Sequence, residues 1–330
     1  MQSRRVFTKN LTALFSMVAA SKPLRLAHAQ GTAGPINSTI DGVKLGVQSA
    51  SFTFSGMGIP DIIKTMRDVG LSDIDIMSEH VENFLGAPVP LPGTGRPGPW
   101  VPRPPRSSPL PGGASRRVAG AGPLMDPLER AAIREWRLNA DLEQFSLVAK
   151  RFKDAGLNLF SYNLSFDNTF TDPEIEKGFE MTKALGTKII TASSPVEVFP
   201  RLKPFAEKHD VIVALHNHTI GPMDFAKAME LSENFWVNLD VGHFFASGYD
   251  PVAYIREHHD RITNIHIKDR NKNFGESVPF GEGQTPLPEV FELVKKERYG
   301  FPCCIEYVGP AGPAIELAKC SQYCKDVIRR

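Results

Sequence analysis

Cysteine is scarce, with four in 330 residues, and none stands in a paired C-x-x-C. Cys303 and Cys304 read as strand core, while Cys320 and Cys324 have helical i, i+4 spacing, where a disulfide is geometrically awkward although an oxidising compartment leaves it possible. A thiolate zinc site and a disulfide framework are therefore not expected. Charge of one sign is lacking too: 38 basic side chains face 37 acidic ones, for a formal net charge of +1. No global field recruits nucleic acid or an anionic membrane, so a small molecule is the expected partner. No apolar run reaches the roughly eighteen residues of a membrane span. Neither a G-x-G-x-x-G behind a strand nor a Walker motif is present, which removes support from the nucleotide-binding open sheets.

What is present begins with an address. Ser3-Arg4-Arg5-Val6-Phe7-Thr8-Lys9 resembles a twin-arginine export signal, an apolar run follows from Leu11 to Ala20, and Ala27-His28-Ala29 supplies an A-x-A cleavage site. Residues 1–29 are expected to be removed, leaving a soluble periplasmic or otherwise exported protein; a basic tail on a cytoplasmic protein is the alternative. A chain with 42% hydrophobic residues can bury a large core, and one barrel-sized domain over 43–330 fits its length.

Along that domain, apolar runs alternate with amphipathic ones. Strands are expected at Val43–Ser49, Asp73–Met77, Leu157–Tyr162, Lys188–Ala192, Val211–His216, Trp236–Asp240, Ile262–Ile267 and Pro302–Tyr307, with helices between them. Eight such strands point to a (β/α)8 barrel. One stretch breaks the rhythm. Between Gly86 and Pro123 lie 11 prolines, 8 glycines and five arginines with no acid. Such a composition cannot make helix or sheet ladders, so 86–125 is read as a disordered insertion within the barrel, with a proline-rich partner motif as the minor alternative.

The last four strands each end in a potential ligand: His216 in VALHNH, Asp240 in NLDVGH, His266 in NIHIKD and Glu306 in CIEYVG. In a barrel these ends converge on one mouth. Two imidazoles and two carboxylates there suit one divalent ion of mixed N/O preference, such as manganese, zinc, cobalt or iron, more than calcium. By strand parity His218 shares the face of His216 and Asn217 takes the other, so His218 could substitute as ligand or hold substrate. A buried Asp240 capping the segment that follows is the structural alternative for that residue.

IDIMSEHVE at the second strand, LHNH at the fifth, LDVGHFFASGYD at the sixth, HIKDR at the seventh, FGEG at Phe280–Gly283 and IEY at the eighth carry a resemblance. From about Val43 to the C-terminus, the insertion excepted, the chain resembles the xylose isomerase-like TIM-barrel superfamily of sugar phosphate isomerases/epimerases, ketose 3-epimerases, inosose dehydratases and abasic-site endonucleases. The resemblance implies a TIM barrel whose metal is held at His216, Asp240, His266 and Glu306. Where the family's epimerases have a glutamate on the fifth strand this chain has His216, so a two-glutamate acid/base pair is not expected. The endonuclease branch needs further histidines that FSYNLSF and Gly275–Pro279 do not supply.

The expected function is a divalent-metal-dependent isomerase or epimerase acting on a sugar or keto-sugar by proton abstraction next to a carbonyl through an enediolate. A lyase or dehydratase on a keto-sugar or 3-keto-glycoside, and a non-catalytic carbohydrate-binding barrel, are the alternatives. Glu306 is the expected base, His216 supplies the other function, and His243 and Lys268 bind or polarise substrate oxygens. His218, Asn217, His80 and Glu79 are expected on substrate, with Glu82 beside them and Trp100 or Trp136 as a lid.

Overall fold

The computed structural model describes residues 34–94 and 126–330, so the expected signal at 1–29, most of the insertion and Trp100 lie outside the described residues. Eight parallel strands form the centre: β1 (Val43–Gln48), β2 (Asp73–Met77), β3 (Asn158–Asn163), β4 (Ile189–Ala192), β5 (Ile212–His216), β6 (Phe235–Asp240), β7 (Ile262–Ile267) and β8 (Cys303–Ile305). Each pairs with its successor, and β8 returns to β1 through Leu45 with Cys303 and Val47 with Ile305. This closed cylinder is the TIM barrel that the strand count implies. Gly46 sits at the closure because a Cβ there would lie 2.7 Å from the Asp73 carbonyl. The two-residue segment Thr39–Ile40 adds antiparallel to β1.

Around the cylinder run α1 (Ile59–Val69), α2 (Ser78–Phe84), α3 (Pro127–Leu138), α4 (Leu142–Asp154), α5 (Asp172–Ala184), α6 (Phe199–His209), α7 (Pro222–Met229), α8 (Val241–Ala246), α9 (Pro251–His258), α10 (Leu287–Glu297) and α11 (Pro313–Ile328). Their ends follow local chemistry. Asp126 caps α3 by accepting from Leu128 N at 2.8 Å with Pro127 in the first turn, and Gly70 ends α1 in the left-handed region at φ 75°. Between helices and strands lies an apolar layer in which Phe179, Phe225, Phe235 and Phe244 are fully buried. All four cysteines are buried and free. No described helix is long and apolar enough to cross a membrane.

Three segments differ from the sequence reading. Ser78–Phe84, which carries Glu79, His80 and Glu82, is a helix, β8 stops at Ile305, and the Pro/Gly stretch is placed as far as Thr94. Ala87 and Val89 are buried with Ile133 against Trp136, Asn83 Nδ2 donates to the Val89 carbonyl at 2.7 Å, and Phe54 N donates to the Pro92 carbonyl at 2.9 Å. Prolines lack N–H groups, but carbonyls in such a segment still accept. Trp136 is therefore committed to this outer cluster and to Phe145, with ring centroids 6.3 Å apart, and it forms no lid.

A buried ionic clamp ties α3 to the barrel. Arg137 grips Glu82 through two bonds of 2.8 and 3.0 Å and reaches Glu174 at 3.1 Å, while Arg130 holds Glu174 at 2.7 Å. Tyr162 donates to Glu82 at 3.3 Å. Both carboxylates are fully buried, so Glu82 is a structural anion and does not line the mouth.

Candidate functional site

The side chains at the ends of β5 to β8 meet. One ligand atom each from His216, Asp240, His266 and Glu306 lies within 4.8 Å of the others. Two ligands of one zinc-sized ion stand at most about 4.4 Å apart, given bonds of roughly 2.0–2.2 Å, so a small contraction seats an ion. His216 and Asp240 end their strands, His266 is the penultimate residue of β7, and Glu306 follows β8.

Tautomers are set from below, by residues inside the cylinder. Asp75 on β2 reaches across the lumen to His266 Nε2 at 3.1 Å, and its carboxylate also accepts from Gln48 Nε2 at 2.7 Å and Thr191 Oγ1 at 2.8 Å. Carboxylates face both ring nitrogens, Asp75 at Nε2 and Glu306 Oε2 at Nδ1, so the ring carries a proton on each, and a metal cation would take the place of the one on Nδ1. Asn238 Oδ1 lies 2.7 Å from His216 Nδ1, so His216 keeps its Nε2 lone pair. Orienting partners of this kind raise ligand basicity and hold the ring.

The cluster shows the strain of a cation seat. His266 Nδ1 lies 2.9 Å from Glu306 Oε2 inside the buried cluster. At that distance a bare imidazole nitrogen would set lone pair against lone pair, so a cation, either a proton or a metal ion, stands between them. Burial pulls the His266 pKa down, but the bonds to Asp75 and Glu306 outweigh it and push it up to about 9. These donors fit a divalent ion of mixed N/O preference.

Lys268 supplies the other local cation. Its Nζ donates to Glu306 Oε1 at 2.6 Å and lies 3.2 Å from Asp240 Oδ2. Burial opposes the ammonium, and the Asp240 and Glu306 carboxylates more than offset it, raising its pKa. Glu306, also disfavoured by burial, is held well below the usual carboxylate range by Lys268 and His266. It is therefore ionised at neutral pH. Asp240 also caps α8, its Oδ1 accepting from His243 N at 2.6 Å, so the structural alternative and the ligand role share one carboxylate.

His218 and His243 line the site beside His216, with ring centroids 4.8 Å (His216 to His218) and 5.1 Å (His218 to His243) apart. Burial pulls His216 down to about 4 and His218 to about 3, keeping both neutral near pH 7. These three rings also come within ligand distance of one another, but Lys268 Nζ stands 3.2 Å from His243 Nε2. The three-histidine set offers no carboxylate to offset that ammonium and an ion together, whereas Asp240 and Glu306 do so in the four-residue cluster, which is the better seat.

Other expected site residues are committed elsewhere. Asn217 spends both ends of its amide on the backbone of Asp240, at 3.1 and 2.8 Å, and is fully buried. It locks β5 to the end of β6 and does not face substrate. His80 is fully buried with Nε2 3.3 Å from the Ser49 carbonyl, which withdraws it from the mouth. Glu79 is half-buried at the start of α2, its pKa raised by burial, and its described bond is from Ser78 Oγ at 3.2 Å. Asp269 gathers Gly281 N, Gly283 N and Thr285 N at 2.8, 3.0 and 3.2 Å and so shapes the FGEG loop.

Sequence reasoning missed Asp75, Asn238 and Arg270. The available signal for Asp75 was an acid between isoleucines in a strand, and for Asn238 a polar residue two before Asp240, hence on the same inward face.

No curated protein matches the chain. Among solved structures it is similar to a sugar phosphate isomerase/epimerase from Parabacteroides distasonis, with 15% identity, a TM-score of 0.56, and 90% of this chain and 99% of that one covered. The probable 3-DHS dehydratase AsbF from Bacillus anthracis gives 17% identity and a TM-score of 0.56 over 87% of this chain and 99% of that one. The IOLI protein with a binding zinc atom gives 16% and 0.57 over 87% and 98%. At such identities these likenesses speak for the fold. The model of the xylose isomerase-like TIM barrel matches residues 126–324, more than half of the sequence, and with the closed cylinder this establishes that the chain belongs to that family.

Proposed function

We propose that the chain binds one divalent ion at His216, Asp240, His266 and Glu306 and acts as an isomerase or epimerase on a sugar or keto-sugar, removing a proton from a carbon next to a carbonyl. The observation that carries this reading is that one ligand atom each from His216, Asp240, His266 and Glu306 lies within 4.8 Å of the others, with His266 Nδ1 only 2.9 Å from Glu306 Oε2. The ion, when bound, supplies stabilisation for the negative charge that develops on the carbonyl and neighbouring oxygen. The ionised Glu306 takes the proton through whichever oxygen faces the carbon, and Lys268 and His243 hold a substrate oxygen. His218, neutral and beside His216, is placed to move a proton on another side.

The solved isomerase/epimerase supports the class, and the dehydratase keeps loss of a β-substituent from the same carbanion as the second outcome. Export by way of residues 1–29 would favour a free sugar or glycoside over a sugar phosphate. The test combines metal analysis of the purified chain with incubation against ketoses and 3-keto-glycosides in deuterated water. One bound ion and label at the carbon beside the carbonyl support the proposal, with product analysis separating isomerase from lyase. Sugar affinity without exchange makes the chain a binding protein, and neither metal nor exchange sinks the enzyme.

A further inference from the structure

Arg270 is pinned by its own loop. Its Nε and Nη2 donate to the Gly275 carbonyl at 2.9 and 2.6 Å, Nη2 also approaches the Phe274 carbonyl at 3.4 Å, and the remaining Nη1 rests on His243 Nδ1. The loop is itself anchored, since Arg270 N donates to Thr285 Oγ1 at 3.0 Å and Gln284 N donates to the Arg270 carbonyl at 2.9 Å. A guanidinium has donors and no acceptor, so the imidazole nitrogen facing it must be the bare one. That excludes both the imidazolium and the Nδ1–H tautomer of His243. The ring proton then sits on Nε2.

His243 Nε2 faces Lys268 Nζ at 3.2 Å, and Asp240 Oδ2 is 3.7 Å away, beyond a direct hydrogen bond. Lys268 could donate to this nitrogen only if Nδ1–H were turned against Arg270. Lys268 has Glu306 and Asp240 as acceptors, whereas Nη1 of Arg270 has His243 alone among the described residues. The balance favours two adjacent donors, Nε2–H and the ammonium, close enough together for one oxygen to accept from both. A neutral imidazole donating beside a cation polarises a carbonyl without giving up its proton.

We infer that Arg270 is a positioning residue: it fixes His243 as the Nε2–H tautomer, so that His243 and Lys268 present a pair of N–H donors to a single substrate oxygen. The inference rests on the proposed reaction for its use, but the tautomer can be read without any turnover. The zinc-loaded full chain, labelled with ¹⁵N histidine, is recorded in a long-range proton–nitrogen correlation, with His243→Gln used for assignment. The expected pattern for His243 is Nε2–H; an Nδ1–H or imidazolium pattern overturns the inference. In Arg270→Met, Lys268 is free to donate to Nε2, so the pattern should move toward Nδ1–H. Turnover should then fall about tenfold to a hundredfold with KM changed less than about twofold, as for loss of an aligned donor. Arg270→Lys, which keeps a donor, should restore the tautomer and part of the rate. An unchanged tautomer in Arg270→Met reduces Arg270 to a loop anchor and overturns its role. A wild-type chain with Nε2–H that exchanges no label defeats the proposed reaction and leaves the tautomer standing.

Discussion

Asp75 should control how tightly the site holds its ion, although it is not itself a ligand and acts through His266. Asp75→Asn is nearly isosteric: its amide oxygen can still accept from Gln48 and His266, and its NH2 can turn to the hydroxyl of Thr191, so the barrel loses a charge and keeps its shape. With Asp75 Oδ2 3.1 Å from His266 Nε2, and the ring and a metal bond beyond, the carboxylate stands roughly 6.5 Å from the seat. A unit charge at that distance and an effective dielectric of about 20 contributes about 2.5 kcal/mol, which is somewhat under a hundredfold in affinity. The range of about 10–100-fold typical of residues orienting metal-bound histidines agrees. Zinc titration against a competing chelator at fixed pH measures it directly. A Kd within about twofold of wild type would show that Asp75 neither orients nor charges the site, and the account of the buried network would be wrong.

Glu306→Gln should abolish deuterium incorporation, by about a thousandfold or more, in a protein whose thermal unfolding is little changed; retained exchange would move the base elsewhere. Arg137→Met should destabilise by about 3–5 kcal/mol in urea unfolding, because it strands Glu82 and Glu174 in the interior without their shared cation. A loss below about 1 kcal/mol would mean that Arg130 and Tyr162 suffice. His80 is pulled down to about 4 by burial, only partly offset by its bond to the Ser49 carbonyl. The unfolded chain then binds a proton near pH 6.5 that the folded chain refuses, so stability falls as pH drops from about 6.5 to about 4, by on the order of 3 kcal/mol from this residue. His80→Gln should flatten that part of the curve, and an unaltered slope would assign it to other histidines.

The barrel was legible because its strands are short apolar runs cut by Gly, Asp-Pro and charged helices, a rhythm that survives even a long Pro/Gly interruption. The four strand-end ligands were legible for the same reason: each is a polar residue at or beside the end of an apolar run. Partners across the lumen were not. Asp75 reads as ordinary alternation in DIDIM until closure brings β2 opposite β7, and Arg270 finds His243 only through the fold of its loop. Asn217 misled because parity gives a direction and not a partner; its amide is spent on the neighbouring strand. Ala87 and Val89 were hidden by composition, since two apolar side chains among prolines carry no periodicity.

Closure of the cylinder by β8 against β1 has a consequence for the nascent chain. Three of the four ligands are synthesised on consecutive strands, but Glu306 arrives only with the last one, next to residues that left the ribosome first. Until those distant strands find each other, the proposed ligand set has three of its four donors in place, so tight metal uptake would require closure of the cylinder.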